Sequence, residues 1–253
     1  MDPAGAYRAD SSLKGKLRRR AVRLLRRRPA RVRLDRPMIS FTFDDVPASA
    51  ADLGARILAE HGALGTFYVS ASLASGQGAM GRYASACDLV ALAQAGHELG
   101  CHTYSHLDCG QAAAGEIVAD VERNAEALAS WGAAAPSTFA YPYGDVSLAA
   151  KTALGGRFTL LRALHPGLIE TGADLNQAPS VGVEGPGAET RAQAWMGRAR
   201  DRRAWLILNT HDVADRPSQW GCTPKALHSL VKAAVAAGME IVTVAEGAQR
   251  LAA

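Results

Sequence analysis

The chain has 253 residues, 48% of them apolar and 21% charged, with a formal net charge of +4. That length supports one large α/β domain or two small ones, and the composition excludes a fibrous, low-complexity or disordered chain. No apolar run approaches the roughly 18–20 residues a membrane-spanning helix needs.

The charge is uneven. Residues 1–36 carry 13 Lys and Arg against 3 Asp, a net of +10, whereas residues 37–253 carry 15 basic and 21 acidic residues, a net of −6. The basic pI therefore belongs to an arm, and the mildly acidic body does not imply nucleic acid as a partner. In the arm, Leu13, Leu17, Ala21, Leu24 and Leu25 recur at helical spacing among arginines, which predicts an amphipathic helix ending before Pro29. Such a helix can make peripheral contact with an anionic membrane. A solvated arm is the alternative, and both readings stay open. The N-terminus lacks the apolar core of a secretory signal, so a cytoplasmic location is expected, peripheral at the inner membrane face if the arm binds lipid. Cys87, Cys101, Cys109 and Cys222 form no CxxC pair and read as free thiols.

From Pro37 the pattern alternates. Met38 to Phe43 reads as a strand running into Asp44-Asp45, Ala50 to Glu60 as a helix, and Gly65 to Ser70 as a strand. Cys87 to Ala95 reads as a helix, and His97 to Cys101 as a strand running into His102. Ile117 to Trp131 is a long helix, Thr138 to Ala140 a strand entering Tyr141-Pro142-Tyr143-Gly144, and Phe158 to Leu161 a strand. Trp205 to Asn209 is a strand before Thr210-His211-Asp212, Pro224 to Ala237 a helix, and Glu240 to Val244 a last strand. The alternation predicts a parallel sheet with helices outside. The polar clusters follow strands, as they do at the carboxyl face of (β/α) barrels. With about seven strands visible, the expectation is an α/β fold built as a distorted, incomplete (β/α) barrel: an arm over 1–36 and a catalytic domain over 37–253.

His102-Thr-Tyr-Ser-His106 sets two imidazoles four residues apart. On a helical turn they would share one face, a spacing that suits zinc. Asp44 and Asp45 leave a strand in different directions, so one carboxylate can join a metal while the other faces substrate. Two His and one carboxylate leave positions open for water and substrate. His211 can protonate a leaving group, since imidazoles as a class change charge near neutral pH.

The order Thr-Phe-Asp-Asp, His-Thr-xx-His, Phe-Ala-Tyr-Pro-Tyr-Gly and Leu-Asn-Thr-His-Asp closely resembles the polysaccharide deacetylase family over about residues 38–250. The resemblance implies a general base at Asp44, metal ligands at Asp45, His102 and His106, an oxyanion-binding backbone N–H at Tyr143 and a general acid at His211. It also implies one divalent metal, with zinc the first choice for these ligands. The sequence departs from the common pattern in three places. Val46 and Pro47 follow the Asp pair where Gly is usual, Ala140 stands where an Arg orients the base, and no fourth motif with Asp and Trp is recognisable. Arg162 fits the role of the missing Arg. The expected substrate is an N-acetylhexosamine-containing glycan, as a polysaccharide or a lipid-linked precursor, in exopolysaccharide or holdfast synthesis. The alternatives are a deformylase or deacetylase of another lipid-linked amino sugar and a catalytically silent glycan-binding protein. The oligomeric state is not legible.

Overall fold

A computed structural model describes residues 13–252. The expectations for residues 1–12, and for the side chains of Leu13 and Leu17, lie outside the described residues.

The body is a parallel sheet of eight strands: β1 (Met38–Asp44), β2 (Thr66–Val69), β5 (Glu98–Cys101), β6 (Thr138–Ala140), β7 (Leu160–Arg162), β8 (Val181–Gly182), β9 (Trp205–Thr210) and β10 (Glu240–Ile241). Their order is β7-β6-β5-β2-β1-β9-β8, with β10 beside the first residues of β1. Two more strands, β3 (Gln77–Gly78) and β4 (Gly81–Arg82), form a small hairpin apart from it. The sheet curls into an incomplete barrel. The segment 178–182 pairs with β7 through the Arg162–Ala178 bridge and with β9 through β8, drawing the two ends of the sheet together.

Alternation along the strands sorts residues between inside and outside. On β1, Ile39, Phe41 and Phe43 join the apolar layer under the helices, while Ser40 and Thr42 bond to β9. Outside lie α2 (Ala55–Ala59, continuing a π-type turn at Ala50–Gly54), α3 (Ala86–Gln94), α4 (Ala114–Ser130), α5 (Leu148–Leu154), α6 (Ala188–Arg202) and α7 (Pro224–Ala236). Ser85 and Asp88 close a capping box at the start of α3, and Thr223 with Pro224 begins α7. The last expected strand is shorter than its apolar run, because Thr243 and Glu246 cap α8 (Val244–Ala252). The first two N–H groups of α8 donate to Thr66 and to the half-buried Glu98, so α8 covers the amino end of the barrel.

The arm forms α1 (Leu13–Leu24), and the chain after it lies along the body. Val22 is buried with Tyr141, Ala150 and Leu161. The buried ammonium of Lys151 donates to the Val22 carbonyl at 2.8 Å and pairs with Asp174 at 2.6 Å. The Arg28 guanidinium donates to the carbonyls of Gly155, Phe158 and Thr159. Leu24 and Leu25 stay exposed. Among the described residues no helix is long and apolar enough to cross a membrane.

Candidate active site

The inward residues at the carboxyl end of the strands form one layer. Asp44 on β1 is in register with Tyr68 on β2, Tyr68 with Gly100 on β5, and Ala140 on β6 with Arg162 on β7. Small residues make room for large ones: a Cβ at Gly100 would lie 2.5 Å from the Tyr68 ring. Arg162 is fully buried, and its Nη2 donates to both Asp44 oxygens at 2.6 Å. Its Nε and Nη1 are buried without a hydrogen-bond partner, and its guanidinium carbon lies 5.0 Å from the centre of the Tyr68 ring. That distance is within cation–π range. Position 140 is Ala, and the guanidinium beside Asp44 comes from the paired position one strand over. Burial alone would push the Asp44 carboxyl up. The Arg162 guanidinium bonded to it leads the effects that outweigh burial and hold the carboxyl below its ordinary value.

Asp45, His102 and His106 offer one ligand atom each, all within 4.8 Å of one another. Oδ1 of Asp45 lies 3.6 Å from His102 Nε2 and 3.4 Å from His106 Nε2, and it is buried with no hydrogen-bond partner. A buried orphan acceptor facing two imidazole nitrogens fits a cation held between them. His102 Nδ1 donates to the Ala140 carbonyl at 2.8 Å, which turns the Nε2 lone pair inward. Burial lowers the His102 pKa to about 4, so the ring is neutral, as a ligand must be.

The expectation of a helical turn from His102 to His106 is corrected: the segment is irregular. Thr103 (φ 61°) and His106 (φ 55°) take left-handed backbone conformations, and these bring the second imidazole back beside the first. Asp120 on α4 holds the bend by accepting from the N–H groups of Tyr104 and Ser105 and the hydroxyl of Ser105. Asp45 (φ 59°), Val46 (φ 52°) and Tyr143 (φ 59°) are left-handed too. For a β-branched residue such as Val46 this is strain, at a position glycine occupies freely. Five strained residues converge on one site.

Tyr143 follows β6, and its ring packs edge-on against His106 at 4.5 Å. His211 follows β9, and its Nδ1 donates to the Trp220 carbonyl at 3.2 Å. Cys101 and Cys109 are buried in packing, and burial raises both thiols, Cys101 to about 12.

Three neighbours were not legible in the sequence: Tyr68, Asp120 and Glu184. Burial raises the Glu184 carboxyl, and it feels the charges of His211 and Asp44. No spacing pattern marks any of the three, because strand register and helix packing bring them to the site.

The family model described as polysaccharide deacetylase matches residues 31–155. No curated protein matches the chain. Among solved structures, it is similar to the Xyl-CE4 domain of a multidomain xylanase from the hindgut metagenome of Trinervitermes trinervoides, with 18% identity and a TM-score of 0.61 over 85% of this chain and 91% of that one. It is also similar to the chitin deacetylase of the fungal pathogen Colletotrichum lindemuthianum, with 16% identity and a TM-score of 0.60 over 85% and 89%. A family 4 acetyl xylan esterase from Clostridium thermocellum, solved with a cobalt ion, matches with 21% identity and a TM-score of 0.58 over 83% and 89%. At these identities the likeness is one of fold, a curled parallel sheet with its helices outside.

Proposed function

We propose that this chain, whose residues 31–155 match the polysaccharide deacetylase family model, is a metal-dependent hydrolase removing N-acetyl groups from N-acetylhexosamine units of a glycan. The observation that carries this reading is the orphaned Asp45 Oδ1 between His102 and His106, beside an Asp44 held by Arg162. A divalent ion held by Asp45, His102 and His106, with zinc the first choice, would act as a Lewis acid and lower the pKa of a bound water from 15.7 toward about 7.

The protein's own residues supply the rest. Asp44 accepts the proton of the attacking water, and Arg162 keeps it ionised between turnovers. Tyr143 offers its backbone N–H to the developing oxyanion. His211 protonates the departing amine through Nε2, since Nδ1 is engaged by Trp220. Without that proton an amide nitrogen leaves poorly.

The exposed Leu24 and Leu25 among exposed Arg20, Arg23, Arg26 and Arg27 support contact with an anionic bilayer. A cytoplasmic enzyme at the inner membrane face would meet lipid-linked glycan precursors there, as exopolysaccharide or holdfast synthesis requires. The test is acetate release from N-acetylglucosamine oligomers, with formate release from N-formyl analogues measured in parallel. Chelator should abolish hydrolysis and added zinc restore it. Full activity in chelator-treated, metal-free protein would reject the mechanism.

A further inference from the structure

The ring of His211 is bonded through Nδ1 to the Trp220 carbonyl at 3.2 Å. A carbonyl only accepts, so Nδ1 carries a proton, and in the neutral ring Nε2 carries the lone pair. The tautomer and aim of the ring therefore hang on one backbone oxygen, nine residues further along the loop after β9. Asp215, Arg216, Gln219 and Trp220 are exposed, so packing does little to hold that loop.

Asp212 closes the loop at its base. It is buried, and its carboxylate accepts from the Ser218 N–H at 2.8 Å and from the Ser218 hydroxyl at 2.5 Å. With its proton committed to Asp212, the Ser218 oxygen is left to accept, and it takes the Trp220 N–H at 3.2 Å. The Gly221 N–H donates to the Ser218 carbonyl at 3.2 Å, closing a four-residue turn. The Cys222 N–H returns to the Asp212 carbonyl at 2.9 Å. Gly221 leaves room for this arrangement, since a Cβ there would overlap Oδ1 of Asp212. A carboxylate suits the place: it accepts from both donors, and bonds to an ionised acceptor are about twice as strong as neutral ones. An asparagine amide would turn its own NH2 group toward one of the donors.

We propose that Asp212 is the positioning residue for the general acid. Through Ser218 it fixes the turn whose Trp220 carbonyl sets the tautomer and aim of His211. Asp212 itself stays clear of the reacting atoms and acts by holding the loop. For its effect on rate the inference rests on the reading of His211 as the acid, whereas the hold on the ring is measurable without turnover.

The first measurement is nitrogen–proton NMR of the His211 ring in metal-free full-length protein, above the pH at which the ring titrates. Wild type should show the Nδ1-protonated tautomer, and Asp212→Asn and Ser218→Ala should show a mixture of both. Gly221→Ala, which displaces the carboxylate by another route, should match Asp212→Asn. An Nε2-protonated ring in wild type, or an unchanged tautomer in all three variants, would overturn the proposal. The second measurement compares leaving groups. An amide nitrogen needs a proton to depart, whereas the nitrophenolate of nitrophenyl acetate does not. In Asp212→Asn, kcat for acetate release from an N-acetylglucosamine trimer should fall about 10²-fold more than kcat for nitrophenyl acetate, the scale of loss that a misplaced group brings, with KM unchanged. His211→Ala serves as the control. Equal losses on both substrates in Asp212→Asn, beside unequal losses in His211→Ala, would leave Asp212 a merely structural residue and overturn the proposal. Equal losses in His211→Ala itself, with mixed tautomers in the loop variants, would reject His211 as the acid and retain the hold of Asp212 on its ring.

Discussion

In the proposed reaction, the side chain that holds the base is Arg162. It is fully buried, makes its hydrogen bonds through one nitrogen and rests on the face of Tyr68. Removing it as Arg162→Met leaves the Asp44 carboxylate buried and unpaired, which costs about 3–5 kcal/mol. Hydrolysis should fall by roughly 10²–10⁴, the usual worth of a general base. A desolvated cation–π contact contributes about 2 kcal/mol, so Tyr68→Leu should lower kcat by about thirtyfold and Tyr68→Phe should restore it. Equal kcat in Leu and Phe variants would show that the ring face does not hold the guanidinium. A second test at this scale concerns pH. Burial and the positive charge of Arg23 lower His165 to about 4. The folded protein therefore keeps this ring neutral while the unfolded chain takes a proton below about pH 6.5. Stability should fall between about pH 6.5 and 4, with a slope of up to about 1.4 kcal/mol per pH unit from this residue. Urea midpoints across that range measure it, and His165→Asn should flatten the slope. Residue type, strand-end position and motif order mark Asp44, Asp45, His102, His106, Tyr143, Arg162 and His211 as candidates in the sequence, and the structure brings Asp45, His102 and His106 together and Arg162 to Asp44. Tyr68 and Glu184 were not legible, because their place depends on register with β1 and β9.

At the scale of elements, α4 and the arm carry loads that their sequences do not advertise. Asp120 ties α4 to the bend between the two histidines through three hydrogen bonds. Asp120→Ala should weaken metal retention by roughly 10–100-fold, as loss of a group that orients ligands does, without touching a ligand. Zinc affinity by chelator competition decides it, and an unchanged value would make the bend self-supporting. The arm reads as separable by charge, yet Val22 is buried and its carbonyl serves Lys151. Deleting residues 1–24 removes one burial of roughly 1.5–3 kcal/mol and one charged hydrogen bond of about 1.5–3 kcal/mol. At about 2–4 °C per kcal/mol, Tm should fall by roughly 6–24 °C. An unchanged melting curve would make the arm a surface appendage. Long periodic helices such as α4 and α7 were legible. α6 was not, since its buried stripe of Ala188, Ala192, Met196 and Ala199 is mostly alanine and gives little contrast between faces. β8 has two residues, too few for any period to register.

Across the whole molecule, the barrel was legible from alternation and from polar residues following strands, whereas its closure through 178–182 was not. No local pattern announces that a short segment will serve two neighbours in turn. The position of β1 has a consequence of another kind. It sits at the middle of the sheet, between β2 and β9, with β10 at its start. Ser40 waits for a partner 165 residues downstream. At roughly 5–20 residues per second of synthesis, that is about 8–33 s during which a strand of Ile39, Phe41 and Phe43 has only β2 beside it. Folding is therefore dominated by distant pairings, which are slow to close and leave sticky strands uncovered meanwhile. A nascent chain halted after residue 204 should remain open to protease along Met38–Asp44, while one extended through residue 252 should be protected there. The newborn protein is thus at its most vulnerable for most of its own translation, and its demand on chaperones is set by the sheet order rather than by its length.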